Sequence, residues 1–201
     1  MFSGIVETKG TVVRIEREGS NYGFWIESSI AKDAYIDQSI AHNGVCLTIV
    51  KIENNQYLVT AIHETILKTN LSSWTVSYEV NLERSLMATS RIDGHFVQGH
   101  VDTTAMCVKV ENADGSWYFH FSIAKEHSKY IVQKGSICIN GVSLTVVVAD
   151  EGHFSVAIIP YTYEHTNFCH LVSGDEVNIE FDILGKYIVS YMDKINTNKV
   201  G

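Results

Sequence analysis

The sequence predicts an all-β protein: two similar six-stranded antiparallel Greek-key barrels from an internal duplication, plus a short C-terminal α-helix. Three observations carry this. A repeat spans nearly the whole chain, each half contains runs that alternate apolar and polar residues, and the spacing turns helical after Gly185.

The repeat comes first, because a missed repeat misassigns the whole fold. Residues 39–71 align with residues 136–168 at an offset of 97 without a gap, and about 13 of the 33 positions are identical. Average composition gives roughly one in twenty by chance. The same offset pairs Val80-Asn81-Leu82-Glu83 with Val177-Asn178-Ile179-Glu180. A slip of two residues pairs Gly4-Ile5-Val6-Glu7-Thr8 with Gly99-His100-Val101-Asp102-Thr103. Solenoid repeats run about 20–50 residues, so a unit of about 95 is a duplicated domain. The expected units are residues 1–88 and 89–184, with a tail at 185–201.

Each half reads as strand. Gly10-Thr-Val-Val-Arg-Ile-Glu16, Tyr57-Leu-Val-Thr-Ala-Ile62 and Phe154-Ser-Val-Ala-Ile158 have the period of two that marks a half-buried strand. Glu53-Asn54-Asn55, Ala113-Asp114-Gly115 and Asp150-Glu151-Gly152 are turn signals between them. About six strands fit each half. Closure into a barrel removes exposed edges, with a sandwich as the alternative shape. In the tail, Tyr187, Ile188, Tyr191, Met192 and Ile195 form one apolar stripe at helical spacing. That stripe is buried either on its own barrel or against identical helices in an oligomer.

Composition narrows the function classes. The 201 residues are 45% hydrophobic and 19% charged, so a packed core is expected and disorder is not. The net charge of −8 lacks the basic footprint of a nucleic-acid binder. No apolar run nears the roughly 18 residues of a membrane span. The start, Met1-Phe2-Ser3-Gly4-Ile5-Val6-Glu7, has no basic region, so no signal peptide is expected. Cys46, Cys107, Cys138 and Cys169 lie tens of residues apart with no C-x-x-C pair, which points away from zinc and disulfides. A reduced cytoplasmic protein is expected, with Cys107, Cys138 and Cys169 as buried small hydrophobes.

The most specific element is the repeated Asn-Gly-Val-(Cys/Ser)-Leu-Thr at Asn43–Thr48 and Asn140–Thr145. Asn-Gly favours a turn with positive φ. Residues two apart on a strand share a face, so Cys46 lies with Thr48, and Ser143 with Thr145. For one copy, an ordinary tight turn explains this. Two copies that keep their polar positions while neighbours change argue for a small-molecule pocket in each half.

These segments, with Met1–Val6, Gly94–Asp102, Lys129–Gly135 and Val177–Asp182, lie in order along essentially the full length and resemble the riboflavin synthase family. The resemblance implies two six-stranded barrels and a helix at a homotrimer contact. It implies one 6,7-dimethyl-8-ribityllumazine per barrel, and an active site between the N-barrel of one subunit and the C-barrel of the next. Position 3 is Ser where the family commonly has Thr, which keeps the hydroxyl. The implied reaction moves a four-carbon unit between two identical lumazines. The lumazine ring is its own electron sink, so no cofactor is expected. Lumazine synthase is a candidate partner.

Carried over residue by residue, the N-barrel pocket is Gly4, Ile5, Val6, Cys46, Leu47, Thr48, Thr60, Ala61, Ile62, His63, Glu64 and Thr65. The C-barrel pocket is Gly99, His100, Val101, Lys134, Ser143, Leu144, Thr145, Ala157, Ile158, Ile159, Pro160, Tyr161 and Thr162. Turnover is implied for Phe2, Cys46, Thr48, His100, Lys134, Ser143, Thr145 and Asp182. Ser143, or a water it positions, is assigned to C7 of the acceptor lumazine with Asp182 as its polar partner. His100 is assigned to proton movement and Cys46 to the donor. The plain alternatives are a core Phe2, a turn Lys134, a surface Asp182 and a merely hydrogen-bonded His100. His95 and His100 lack a third ligand at metal spacing, so no metal is expected. The competing readings are a non-catalytic lumazine or flavin antenna protein, which would bind without making flavin, and a nucleic-acid-binding barrel.

Overall fold

The computed structural model describes residues 1–198. The first half holds β1 (Thr8–Glu18), β2 (Asn21–Glu27), β3 (Ser39–His42), β4 (Val45–Glu53), β5 (Gln56–Ala61) and β6 (Glu79–Arg84). They close into a barrel in the order β1-β2-β5-β4-β3-β6, every pair antiparallel. The second half holds β7 (Thr103–Asn112), β8 (Trp117–Ser122), β9 (Ser136–Ile139), β10 (Val142–Asp150), β11 (His153–Ile158) and β12 (Glu176–Phe181), closed in the corresponding order. The shape is thus a pair of barrels and not a sandwich. The long strands β1, β4, β7 and β10 each carry a bulge, at Val12/Arg14, Ile49/Lys51, Cys107/Lys109 and Val146/Val148. The extra residue sharpens the twist and lets one strand serve two differently oriented neighbours of a small barrel.

Each barrel encloses its own apolar core, built on Phe24, Ile49 and Tyr57 in the first and on Phe119, Phe121 and Phe168 in the second. His42 lies inside the first, with Nε2 2.9 Å from the Tyr57 hydroxyl and Nδ1 3.0 Å from the Ile40 carbonyl. Burial pulls its pKa down to about 4, so the ring is neutral at ordinary pH. Cys107 and Cys138 are buried, as expected of small hydrophobes, whereas Cys169 is half-buried, and all four thiols are free.

Two six-residue helices, α1 (His63–Lys68) and α2 (Pro160–His165), had no counterpart in the sequence reading. They are too short for a 3.6-residue period to show. Each leads into a 3-10 turn whose first N–H groups are met by a threonine. The Thr69 hydroxyl donates to the Thr65 carbonyl and accepts from the Leu71 N–H, and Thr166 does the same with Thr162 and Phe168. The chain ends in α3 (Ile183–Asn198). The last residues of the expected 185–201 tail, 199–201, lie outside the described residues. Lys186 binds Asp102 at 3.0 Å and Lys129 binds Asp193 at 2.7 Å, which tie α3 to the second barrel. Its apolar stripe stays uncovered, with Tyr187, Ile188 and Tyr191 exposed by 72%, 64% and 65%. Packing on its own barrel is therefore not how this chain covers the stripe. No described helix is long and apolar enough to cross a membrane.

The barrels dock about a pseudo-two-fold axis, and repeat mates meet on it. Asn43-Gly44 and Asn140-Gly141 have φ of 45°, 80°, 47° and 80°, the two-residue hairpin geometry that Asn-Gly favours. Both turns are buried, and they touch each other. A Cβ on Gly44 would lie 2.9 Å from the Gly141 nitrogen, and one on Gly141 2.8 Å from the Gly44 nitrogen. Six buried asparagines surround the contact. The side-chain amide of Asn81 donates to the Asn140 carbonyl at 2.9 Å, and that of Asn178 donates to the Asn43 carbonyl at 3.0 Å. The Asn167 N–H donates to Asn81 Oδ1 at 2.7 Å and the Asn70 N–H to Asn178 Oδ1 at 2.8 Å. Each of these four bonds joins one barrel to the other. Phe2 and Val97, also repeat mates, exchange backbone bonds of 2.7 and 3.1 Å.

A Gly44→Ala or Gly141→Ala chain places a methyl group in a filled contact at positive φ. A loss of about 3 kcal/mol or more is expected in urea denaturation, from strain and overpacking together. Gly19, at φ 61° with open space around it, is the control. Gly19→Ala should cost only the left-handed strain, about 1 kcal/mol.

Candidate active site

The alternation of β4 and β10 decides which side chains can meet a ligand. Cys46 and Thr48 point out of the first barrel while Val45, Leu47 and Ile49 point in. Ser143 and Thr145 point out of the second while Val142, Leu144 and Val146 point in. The candidate pockets therefore lie on the outer walls, beside the junction of the barrels. The buried Leu47, Leu144, Ala61 and Ile158 belong to the cores. At the ends of β5 and β11 and in the runs that follow them, Thr60, Ile62, His63, Glu64, Ile159, Pro160 and Tyr161 are exposed, and Thr65, Ala157 and Thr162 are half-buried.

The structure exchanges the two glycine segments. The expected N-barrel pocket contained Gly4–Val6, and the expected C-barrel pocket contained Gly99–Val101. Instead the Gly4 carbonyl accepts from the Ser143 N–H at 2.7 Å, and the Gly99 carbonyl accepts from the Cys46 N–H at 2.8 Å. Val6 packs against the second core and Val101 against the first. Each barrel thus lends the segment before its first strand to the other barrel's pocket. The reason is the Phe2–Val97 pairing, which sets the two segments side by side across the axis. His100 consequently lies with Cys46, and not with Ser143. A cavity of about 240 Å³ there is lined by Cys46, Glu64, Thr65, Lys68, Gly99 and His100 among others.

Ser143 has a partner that the sequence reading did not assign. His95 Nδ1 lies 2.6 Å from Ser143 Oγ, and the His95 N–H donates to the Ser3 carbonyl at 3.1 Å. Burial lowers the His95 pKa and the charge of Asp182 opposes that shift, so the ring is neutral near pH 7 and Nδ1 can accept from the hydroxyl. Its Nε2 is buried with no hydrogen-bond partner among the described residues. Asp182 makes no hydrogen bond to Ser143 among the described residues, and its charge bears on His95 instead. Asp182 Oδ1 also accepts the Leu184 N–H at 3.0 Å in the first turn of α3. The repeat mates of His100 and Asp182 are Ile5 and Ser85, so the pockets differ in chemistry as well as in nucleophile.

Two expected residues take other places. Phe2 is fully buried with Ala41, Val97 and Cys138, and its ring backs Gly99, where a Cβ would lie 2.9 Å from it. It supports the Cys46 pocket from behind. Lys134 occupies a turn at φ 67°, its N–H donating to the Val146 carbonyl, while its side chain is exposed. The same turn in the first barrel holds Asp37 at φ 72°.

Residues 3–85 and 98–182 each match the family model described as the lumazine binding domain. The chain is 38% identical over 200 residues to riboflavin synthase of Bacillus subtilis, covering 99% of this chain and 93% of that one. It is 41% identical over 201 residues to riboflavin synthase of Saccharomyces cerevisiae, covering 94% of this chain and 84% of that one. The crystal structure of LumP complexed with riboflavin has the same fold, with a TM-score of 0.84 at 22% identity over 90% of this chain and 99% of that one. The chain belongs to the riboflavin synthase family, with one lumazine-binding domain in each half.

Proposed function

We propose that this chain is a riboflavin synthase that dismutates two 6,7-dimethyl-8-ribityllumazine molecules. The products are riboflavin and 5-amino-6-(D-ribitylamino)uracil, by transfer of a four-carbon unit. The observation that carries the reading is the pair of related but unequal pockets. Two identical substrates must do different jobs: one loses a proton from its C7 methyl group and the other accepts a nucleophile at C7. Ser143, held 2.6 Å from the neutral imidazole of His95, is a hydroxyl with a base attached. It adds at the acceptor's C7, or positions the water that does, and His95 takes the proton. In the other pocket His100 moves the methyl proton of the donor while Cys46 and Thr48 face its ring. Thr145 lies beside Ser143 on the same strand face, and Lys134 contributes from the neighbouring turn.

The active protein is a homotrimer. The uncovered Tyr187, Ile188, Tyr191 stripe needs a partner, and helices of identical chains supply one. In that assembly a Cys46 pocket of one subunit faces a Ser143 pocket of the next, which holds two lumazines in register. Four free cysteines suit a reducing cytoplasm. Association with lumazine synthase, the supplier of the substrate, is part of the same reading.

Protein treated with a chelator and given the lumazine alone should form riboflavin and the diaminopyrimidinedione in equal amounts. Binding without any flavin absorbance would instead identify an antenna-type carrier. Ser143→Ala and Cys46→Ala should differ, because only the serine has an imidazole at hydrogen-bond distance. Steady-state turnover should fall about 100-fold or more for Ser143→Ala, and clearly less for Cys46→Ala. Equal losses would contradict the two-role assignment. A chain ending at Lys186 should sediment as smaller species with its strand circular dichroism intact, and an unchanged trimer would remove the argument from the stripe.

A further inference from the structure

Two buried glutamates stand apart from the reaction chemistry. Glu83 in β6 and Glu180 in β12 are repeat mates, exposed by 5% and 1%. Neither forms a salt bridge among the described residues. Their oxygens face backbone donors. Glu83 accepts from the Ser3 N–H at 2.7 Å, the Ser3 hydroxyl at 2.8 Å and the Gly4 N–H at 2.9 Å. Glu180 accepts from the N–H groups of Gln98, Gly99 and His100 at 2.6, 2.9 and 2.8 Å. These are the two exchanged segments, whose carbonyls receive the Ser143 and Cys46 N–H groups.

We propose that Glu83 and Glu180 are positioning residues, each fixing the glycine segment that forms one wall of the other barrel's lumazine pocket. The inference rests on the riboflavin synthase reading. Its physical basis is a matching of donors and acceptors. The glycine segments outside the strands present successive N–H groups with no ladder to satisfy them. A carboxylate is the one side chain that offers acceptors only, on two oxygens, and so receives three donors. A glutamine would turn its own N–H₂ toward at least one of them. Burial pushes the Glu180 carboxyl up to about 7 and also raises that of Glu83, while the N–H donors pull both toward the ionised form. An apolar side chain would leave those donors unpaired. The crossing gives the pair a defined division of labour. Glu83, on the first barrel, serves the Ser143 pocket, and Glu180, on the second, serves the Cys46 pocket.

The test uses full-length Glu83→Gln and Glu180→Gln chains in a Cys169→Ser background, which leaves Cys46 as the one accessible thiol. Lumazine binding is followed by fluorescence, and Cys46 is probed by its rate of alkylation with iodoacetamide. The parent chain should bind two lumazines per chain, and ligand should protect Cys46. Failure of that parent measurement would count against the functional reading, not against this inference. Each variant should bind one lumazine per chain and lose turnover at least tenfold. Ligand should still protect Cys46 in Glu83→Gln but not in Glu180→Gln, and the unliganded thiol should react several-fold faster in Glu180→Gln alone. A merely structural role would weaken both sites together, and that result, or two intact sites in both variants, overturns the proposal. Ser3→Ala, which removes a single donor from Glu83, guards against a variant that does not fold. It should weaken binding at the Ser143 site alone by a few-fold, and equal weakening at both sites, or none, overturns the proposal as well.

Discussion

The contact between the two Asn-Gly turns is the constraint on which the rest of the molecule depends. Each turn closes a hairpin within its own barrel, β3 to β4 or β9 to β10. The same turns form the centre of the docking surface, with backbone against backbone at Gly44 and Gly141. The strands that leave them carry Cys46 and Ser143 as their second residues. The position of both side chains is therefore fixed by the geometry that joins the barrels, and the candidate pockets are properties of the junction.

The junction is held by polar groups in a place where proteins more often use apolar ones. A buried amide costs roughly 1–3 kcal/mol if left unpaired, so this surface favours the register that pairs Asn70, Asn81, Asn140, Asn167 and Asn178. Asn43 Nδ2 is buried with no hydrogen-bond partner among the described residues. Slipping one barrel against the other would strand several amides at once. That dependence on register gives specificity to a docking that apolar contact alone would leave loose. Phe2, Ala41, Val97 and Cys138 add a small dry cluster beside the polar net, and the first residues of the chain are pinned there.

Duplication followed by divergence explains how a near-symmetric frame carries an asymmetric reaction. The frame residues are the ones the repeat kept: Asn43 and Asn140, Gly44 and Gly141, Asn81 and Asn178, Glu83 and Glu180. Several candidate pocket positions differ between the halves, Cys46 against Ser143, Ile5 against His100 and Ser85 against Asp182, while Thr48 and Thr145 are kept.

Local periodicity was enough to read two barrels, the face that Cys46 shares with Thr48 and Ser143 with Thr145, and the apolar stripe of α3. Each of these depends on residues a few positions apart, and the offset of 97 then transferred the reading from one half to the other. The residue-by-residue resemblance assigned each glycine segment to the pocket of its own barrel. Which barrel it reaches is decided by the Phe2–Val97 pairing across the axis. The approach of His95 to Ser143, 48 residues apart, and of Glu83 to Ser3, 80 apart, is made by the tertiary fold and not by local spacing. A sequence fixes which face of a strand a side chain takes, through the two-residue period of the backbone. What stands opposite that face depends on how two closed barrels pack, and here that packing is set by asparagine amides that carry no periodic signal of their own.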